Sequence, residues 1–176
     1  MASEIGNLGN YSPEDVVMII SNNNFSHTIS GTVDGTFISY ERTVPRSTLA
    51  VGSDLHAARV LRRNKSGTVT VTLMQSSESN DILSELARLD EEAHNNDWLF
   101  NVTIKDMLGR SVFFAPQAFI GNDPMTEYGV ELSNREWTIQ VINVQRHTGG
   151  NSKLSPDNEA TLTSFGYEVE AQWKNN

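Results

Sequence analysis

Few side chains in this sequence have reactive potential, and their spacing does not suit catalysis. The four histidines, His27, His56, His94 and His147, are widely separated. None stands three to five residues from another, the spacing a helical or finger-type metal pair needs. Cysteine is absent, which removes disulfides, thiolate zinc sites and cysteine nucleophiles. No G-x-S-x-G elbow, Walker A loop or dinucleotide fingerprint occurs. The run Asn95-Asn96-Asp97 lacks the spacing and closing glutamate of a calcium loop. Carboxylates crowd one stretch, where Glu78, Asp81, Glu85, Asp90, Glu91, Glu92 and Asp97 surround one base, Arg88. A metal or acid–base cluster could be drawn from them, but most fall on the solvent face of one helix, and a solvated face accounts for them better. The expectation is therefore no catalytic residue, no cofactor and no metal.

The contrasting stretch is basic. Arg42, Arg46, Arg59, Arg62, Arg63 and Lys65 lie together with one acid, Asp54. The Arg59-x-x-Arg62-Arg63-x-Lys65 run is the best candidate for an anionic partner, but it lacks the interleaved aromatic side chains of a single-strand stacking platform. The net charge of -9 opposes nucleic acid at long range. A protein partner, or a second copy of this chain, is the more economical target. The two stretches read either as solvated faces, since exposed ion pairs are common and weak, or as halves of a self-association surface. In the second reading Arg42, Arg46, Arg59, Arg62, Arg63 and Lys65 meet Glu85, Glu91 and Glu92 of a neighbour.

The elements that would position these charges are mostly strands. Val16 to Ile20 is a continuous apolar run, β-branched at four of five positions, and reads as a strand covered on both sides. Phe25 to Ser30 follows a turn, and Asp34-Gly35 is a hairpin signal returning through Thr36 to Glu41. In Gly67 to Gln75, Val69, Val71 and Leu73 alternate with threonines, the period of a half-buried strand. A helix is expected over about Asn80 to His94, capped by Ser79 or Asn80, with Ile82, Leu86, Leu89 and Ala93 as its apolar stripe. Phe100, Val102 and Ile104 alternate next, and Met107-Leu108-Gly109 reads as a turn. Ser111 to Ile120 is apolar, with Pro116 expected at an edge or bulge. Gly121 to Pro124 is a turn, and Glu136 to Gln145 is the last long strand, with Trp137, Ile139 and Val141 on one face. Thr43 to Asp54, with Pro45 and Gly52, reads as a long loop that, with the adjacent basic strand, reaches a neighbouring ring or subunit.

The 176 residues suit one domain, over 1–146, with an extension over 147–176. His147 to Asn151 has linker composition and is expected to be a flexible joint. Ser155-Pro156 can start a short helix. Phe165, Tyr167, Val169 and Trp173 would be costly to leave in water, and the alternation from Phe165 to Val169 reads as a short docking strand. No apolar run is long enough to cross a membrane. The first ten residues lack a signal-peptide pattern, so the Asn-x-Ser/Thr triplets at Asn10, Asn24, Asn64 and Asn101 are read as chance.

Several of these stretches, in this order, resemble the tail-tube proteins of contractile-tailed (myovirus-type) bacteriophages. They are Tyr11-Ser12-Pro13-Glu14-Asp15-Val16, Ile29-Ser30-Gly31-x-x-Asp34-Gly35-Thr36-Phe37, and Ser66 to Leu73 leading through Gln75 to Asn80 into the helix. Val102-Thr103-Ile104-x-Asp106-x-x-Gly109 and Asn134-Arg135-Glu136-Trp137 complete the set, covering about residues 11 to 146. The resemblance extends to the tubes of contractile injection systems and to the type VI secretion needle. It implies a mainly β fold, a β-sandwich or partial barrel with one flanking α-helix. It also implies hexameric rings whose strands join in a common barrel around a lumen. The implied function is a structural tail-tube subunit of the virion, assembled in the host bacterial cytoplasm. The implied partners are further copies of the chain, a sheath outside, a tape-measure protein and double-stranded DNA inside, and baseplate and tail-terminator proteins at the ends. The alternative is the inner tube of a phage-derived contractile injection or type VI secretion system delivering protein; a sugar-binding sandwich has little support. The residues beyond the Trp137 strand depart from the family pattern and suggest an added contact. The negative charge further leads to the expectation of an acidic or neutral lumen wall.

Overall fold

The computed structural model describes residues 8–174. Strands β1 (Val16–Ser21), β2 (Ser26–Thr28), β3 (Ile38–Arg42), β6 (Gly67–Met74), β7 (Phe100–Asp106), β8 (Val112–Asn122), β9 (Asn134–Ile142) and β10 (Gln145–His147) form one eight-stranded sheet. Its order is β2-β1-β7-β8-β9-β6-β3, with β10 beside β8. Strands β4 (Ser47–Val51) and β5 (Ala57–Leu61) form a separate two-stranded ribbon. The main helix is α1 (Ser79–Ala93), and a shorter α2 (Pro156–Ser164) follows the sheet. The architecture is the mainly β one expected, an antiparallel sheet with one principal helix. The chain divides into two compact units, one of residues 18–104 and 113–146 and the other of 8–17, 105–112 and 147–174.

The first unit holds the core. Val69, Val71 and Leu73 of β6 stand opposite Ile139, Trp137 and Arg135 of β9, and their side chains are buried. Each large apolar side chain buried there contributes about 1.5–3 kcal/mol. The opposite face of these strands carries Thr68, Thr70 and Thr72, which pair in register with Gln140, Thr138 and Glu136. Helix α1 covers the core with Leu83 and Leu86. Its buried stripe is therefore rotated from the expected one, and Ile82 stays 40% exposed. The turn into the helix explains the rotation. Neither Ser79 nor Asn80 caps it; the Ser79 amide bonds to the Ser77 hydroxyl, and the buried Ser79 hydroxyl accepts from the Ser30 amide at 3.0 Å and contacts His27 Nε2 at 2.8 Å. Those bonds fix the phase at which the helix meets the sheet.

Other local expectations change for identifiable reasons. Only Met18 and Ile20 of β1 are buried, so the strand has one core face rather than two. Asp34-Gly35 does not turn a hairpin: Thr32 bridges Leu73 and Ile38 pairs with Val71, so both flanks run along β6 and the residues between bulge out. Gly35 takes φ +129 there, a backbone state open to glycine. The stretch Thr43 to Asp54 is not all loop, because β4 occupies Ser47–Val51 and pairs with β5 from Ser47↔Leu61 to Val51↔Ala57. Strand β8 lies inside the sheet, so Pro116 is not on an edge. The ladder to β9 begins one residue later at Gln117, and the buried positions change parity from Phe113 and Ala115 to Ala118, an irregularity at the proline.

In the second unit the residues after β10 are bound to the β7–β8 turn. The Arg110 amide donates to the Gly150 carbonyl, the Ser111 hydroxyl donates to the Gly149 carbonyl, and Asn151 Nδ2 donates to Asp106 Oδ2 at 2.6 Å. The expected flexible joint is thus a fitted contact. A Cβ on Gly149 would stand 2.5 Å from Arg110 Cβ, so the glycine permits close approach rather than motion. Helix α2 starts as expected, with Ser155 Oγ accepting from the Asn158 amide and Pro156 in the first turn. The expected strand at Phe165 to Val169 is instead a helix terminus. Gly166 has φ +80, its amide bonds to the Thr163 carbonyl, and the Tyr167 amide bonds to the Leu162 carbonyl. That is the Schellman pattern, which needs glycine at the left-handed position.

Candidate self-association surface

Strand β3 and the connection from β5 to β6 place the basic residues. A cleft of about 670 Å³ is lined by Arg42, Arg46, Arg62, Arg63 and Lys65, with Tyr40 on its wall. It gathers five of the six basic residues expected to act together. It also adds Arg146, whose guanidinium lies 5.1 Å from the centroid of the Tyr40 ring. Arg146 is far from the cluster in sequence and no local pattern announces it. Arg59 is elsewhere, opposite Leu49 on the β4–β5 ribbon. The Arg42 guanidinium donates to the carbonyls of Arg62 and Asn64, which fixes the rim, while its Nε has no partner among the described residues. Arg62, Arg63 and Lys65 are exposed.

The acidic residues lie on α1. Arg88 bonds to Glu85 and, at 2.6 Å, to Glu92, so two of the expected contact acids already have a partner within the helix. The hydrogen bond from Arg88 holds the Glu85 carboxyl below the usual glutamate range. Glu91 lines a second cleft, of about 610 Å³, together with Asp81, Arg88, Asp123, Thr126 and Tyr128. No ion pair among the described residues joins the basic cluster to α1. The register separates them further. Arg42 pairs with Gly67 at the start of β6, whereas Asn134, next to the second cleft, pairs with Met74 at its end. Opposite charges thus sit towards opposite ends of the same strands.

The four expected docking residues of the C-terminal segment behave differently from one another. Val169 is buried. The Tyr167 ring stacks on His147 with centroids 4.5 Å apart, and the Arg110 guanidinium lies 5.1 Å from the Trp173 ring centroid. Phe165 is 77% exposed.

The family model described as bacteriophage PhiTE tail tube protein matches residues 8–149. The chain belongs to this tail tube family. A curated relative, structural protein ORF10 of Pseudomonas phage KPP10, is 36% identical over 170 residues, covering 96% of this chain and 98% of the relative. Among solved structures, the tube-terminating cap of the anti-feeding prophage is 11% identical with a TM-score of 0.43, over 84% of this chain and 99% of the cap. A chain of the extracellular contractile injection system PVC, in its extended sheath–tube complex, is 12% identical with a TM-score of 0.44, over 79% and 92%. Family membership makes this chain a structural subunit of a phage tail tube and a component of the virion. No helix among the described residues is long and apolar enough to cross a membrane.

Proposed function

We propose that this tail tube subunit is non-catalytic and assembles into hexameric rings, stacked as the hollow inner tube beneath a contractile sheath. The observation that carries the assembly is the separation of a basic cleft and an acidic helix face that do not pair within one chain. A heterologous head-to-tail contact satisfies both, and contacts of that kind close into rings or extend into stacks. The Arg62–Lys65 rim then meets acids on a neighbour, with Glu91 the least engaged of the α1 candidates. The β4–β5 ribbon supports the same reading. All ten of its strand residues are exposed, Leu49 and Val51 among them, and a two-stranded hairpin alone is marginal in water. We read the ribbon as a contact to a neighbouring subunit.

The polar sheet face suits the lumen. Across β3, β6 and β9 it presents Ser39, Glu41, Thr68, Thr70, Thr72, Glu136, Thr138 and Gln140, with no lysine or arginine at these positions. Passing double-stranded DNA and a tape-measure protein would meet hydroxyls and a few carboxylates. The C-terminal segment belongs on the outside of the tube, stapling it, with the sheath around it; baseplate and tail-terminator proteins close the ends. The testing experiment is the double variant Arg62→Glu, Arg63→Glu, examined by negative-stain microscopy and circular dichroism. Loss of tubes with the β spectrum retained is expected. Normal tubes would overturn the head-to-tail contact.

A further inference from the structure

Helix α1 carries more apolar surface than its own subunit covers. Leu83 and Leu86 enter the core, but Ile82, Leu86 and Leu89 recur at i, i+4 and i+7 and form a second stripe beside them. With Phe25 and Trp98, which pack on the core from outside, this stripe lines an apolar groove of about 260 Å³. Its wall holds one acid, Glu85, and among the described residues no lysine or arginine. The Glu85 side chain is 58% exposed, so its carboxylate can accept from a second cation beside Arg88. The β4–β5 ribbon has a matching face. Paired residues of an antiparallel ladder share a face, so the register puts Leu49 with Arg59, Val51 with Ala57 and Ser47 with Leu61 on one side. Leu49 is 73% exposed, Leu61 62% and Val51 56%. Arg59 is the one charged residue on that side, and the one member of the basic cluster that the cleft leaves out.

We propose that this face of the ribbon in one copy seats in the α1 groove of the next copy, with Arg59 against Glu85. The inference rests on the head-to-tail reading and gives the ribbon its receptor. An apolar face with a single cation meets an apolar groove with a single acid, so both surfaces lose their exposed hydrophobic area without stranding a charge. The two lie at opposite ends of the subunit's strands. The ribbon leaves the sheet where Arg42 pairs with Gly67, at the start of β6. Helix α1 begins just past Met74, the last residue of β6, whose amide donates to the Gly31 carbonyl. The eight residues of β6 separate these ends, by about 25 Å at the usual rise. A donor at one end and its receptor at the other make a heterologous contact that repeats from copy to copy. Phe165 is also outward, but its neighbours Ser164 and Gly166 bring no cation to Glu85.

Two measurements test this. Leu49→Ser changes a side chain that is already in water in the subunit, so the melting temperature of the unassembled protein should hold. The concentration needed for tubes should rise about tenfold or more, as one buried leucine is lost from every contact. Tubes forming at the normal concentration would overturn the proposal. The chain has no cysteine, so engineered pairs report cleanly. Ser26→Cys on the groove wall should form intermolecular disulfides with Ser47→Cys or Ala57→Cys when assembled tubes are oxidised. It should form none with Ala50→Cys or Ala58→Cys, on the other face of the ribbon. Cross-links to that other face, cross-links to Ser164→Cys, or none from Ser26→Cys would each overturn the contact. If these cross-links fail while Arg62→Glu with Arg63→Glu still abolishes tubes, the head-to-tail reading stands and the ribbon–groove contact falls. If the wild-type chain makes neither rings nor tubes, both fall.

Discussion

The Trp137 indole is buried, and its Nε1–H donates to Asn80 Oδ1 at 3.0 Å. The same Asn80 amide group donates from Nδ2 to the carbonyls of Met74 at 2.9 Å and Ser77 at 3.1 Å. One side chain therefore ties the end of β6, the turn into α1 and the largest core residue of β9. Its type suggests a helix cap, and only the long-range partner shows the different task. Asn80→Ala would leave the indole N–H buried without its acceptor and release two carbonyls. We expect a loss of about 1–3 kcal/mol, the ordinary penalty for an orphaned buried donor. Urea unfolding of the unassembled subunit measures it. An unchanged midpoint would mean that water replaces the side chain at no cost.

At the scale of elements, legibility followed the core. β6, β7 and β9 show period-two alternation because one face of each packs inward, and that contrast is written in the residues. β4 has no inward face, and Pro45 and Gly52 beside it mimic a loop, so neither propensity nor alternation separates it from one. Tyr128, Val130 and Leu132 alternate as a strand would, but the Ser133 hydroxyl bond to the Glu127 carbonyl and the bends at Val130 and Glu131 close that connection into a loop. Arg146 joins the basic cleft because the β6–β9 ladder sets Val141 opposite Gly67 and the Val144 amide then bonds to the Lys65 carbonyl at 3.2 Å. The C-terminal segment combines both situations. Its aromatic residues signalled docking, while Gly149 and Gly166 serve a close approach and a helix terminus rather than a hinge. With Val169 buried, Tyr167 stacked and Trp173 beneath Arg110, the segment is attached within its own subunit, and Phe165 remains outward. If it staples the tube, removing residues 148–176 should leave rings able to form but lower the heat or denaturant resistance of tubes. Equal resistance of truncated and intact tubes would remove the staple.

For the whole molecule, the net charge of -9 and the local basic cleft are reconciled by where the charges lie. Cations gather beside β3, where a partner copy would cover them, and the threonine face of β6 and β9 is left without them. A conduit for DNA needs this arrangement. A phosphate backbone binds lysine and arginine with a strength that multiplies with the number of contacts and falls steeply with salt. In the proposed tube a ring would repeat every substitution in each subunit and stacking would repeat it again, so one added cation on a lumen face would become a lattice of cations facing the DNA. Thr70 and Thr138 are register partners at the middle of the polar face and are half-buried. A lysine at either position can keep its stem along the sheet and its ammonium in water, so the fold should persist. Thr70→Lys and Thr138→Lys tubes are expected to form normally, to retain DNA at low ionic strength, and to slow genome ejection from the assembled virion. Salt should relieve the retention. Ejection at the wild-type rate from virions carrying both lysines would place this face away from the lumen and move the search to the opposite side of the subunit.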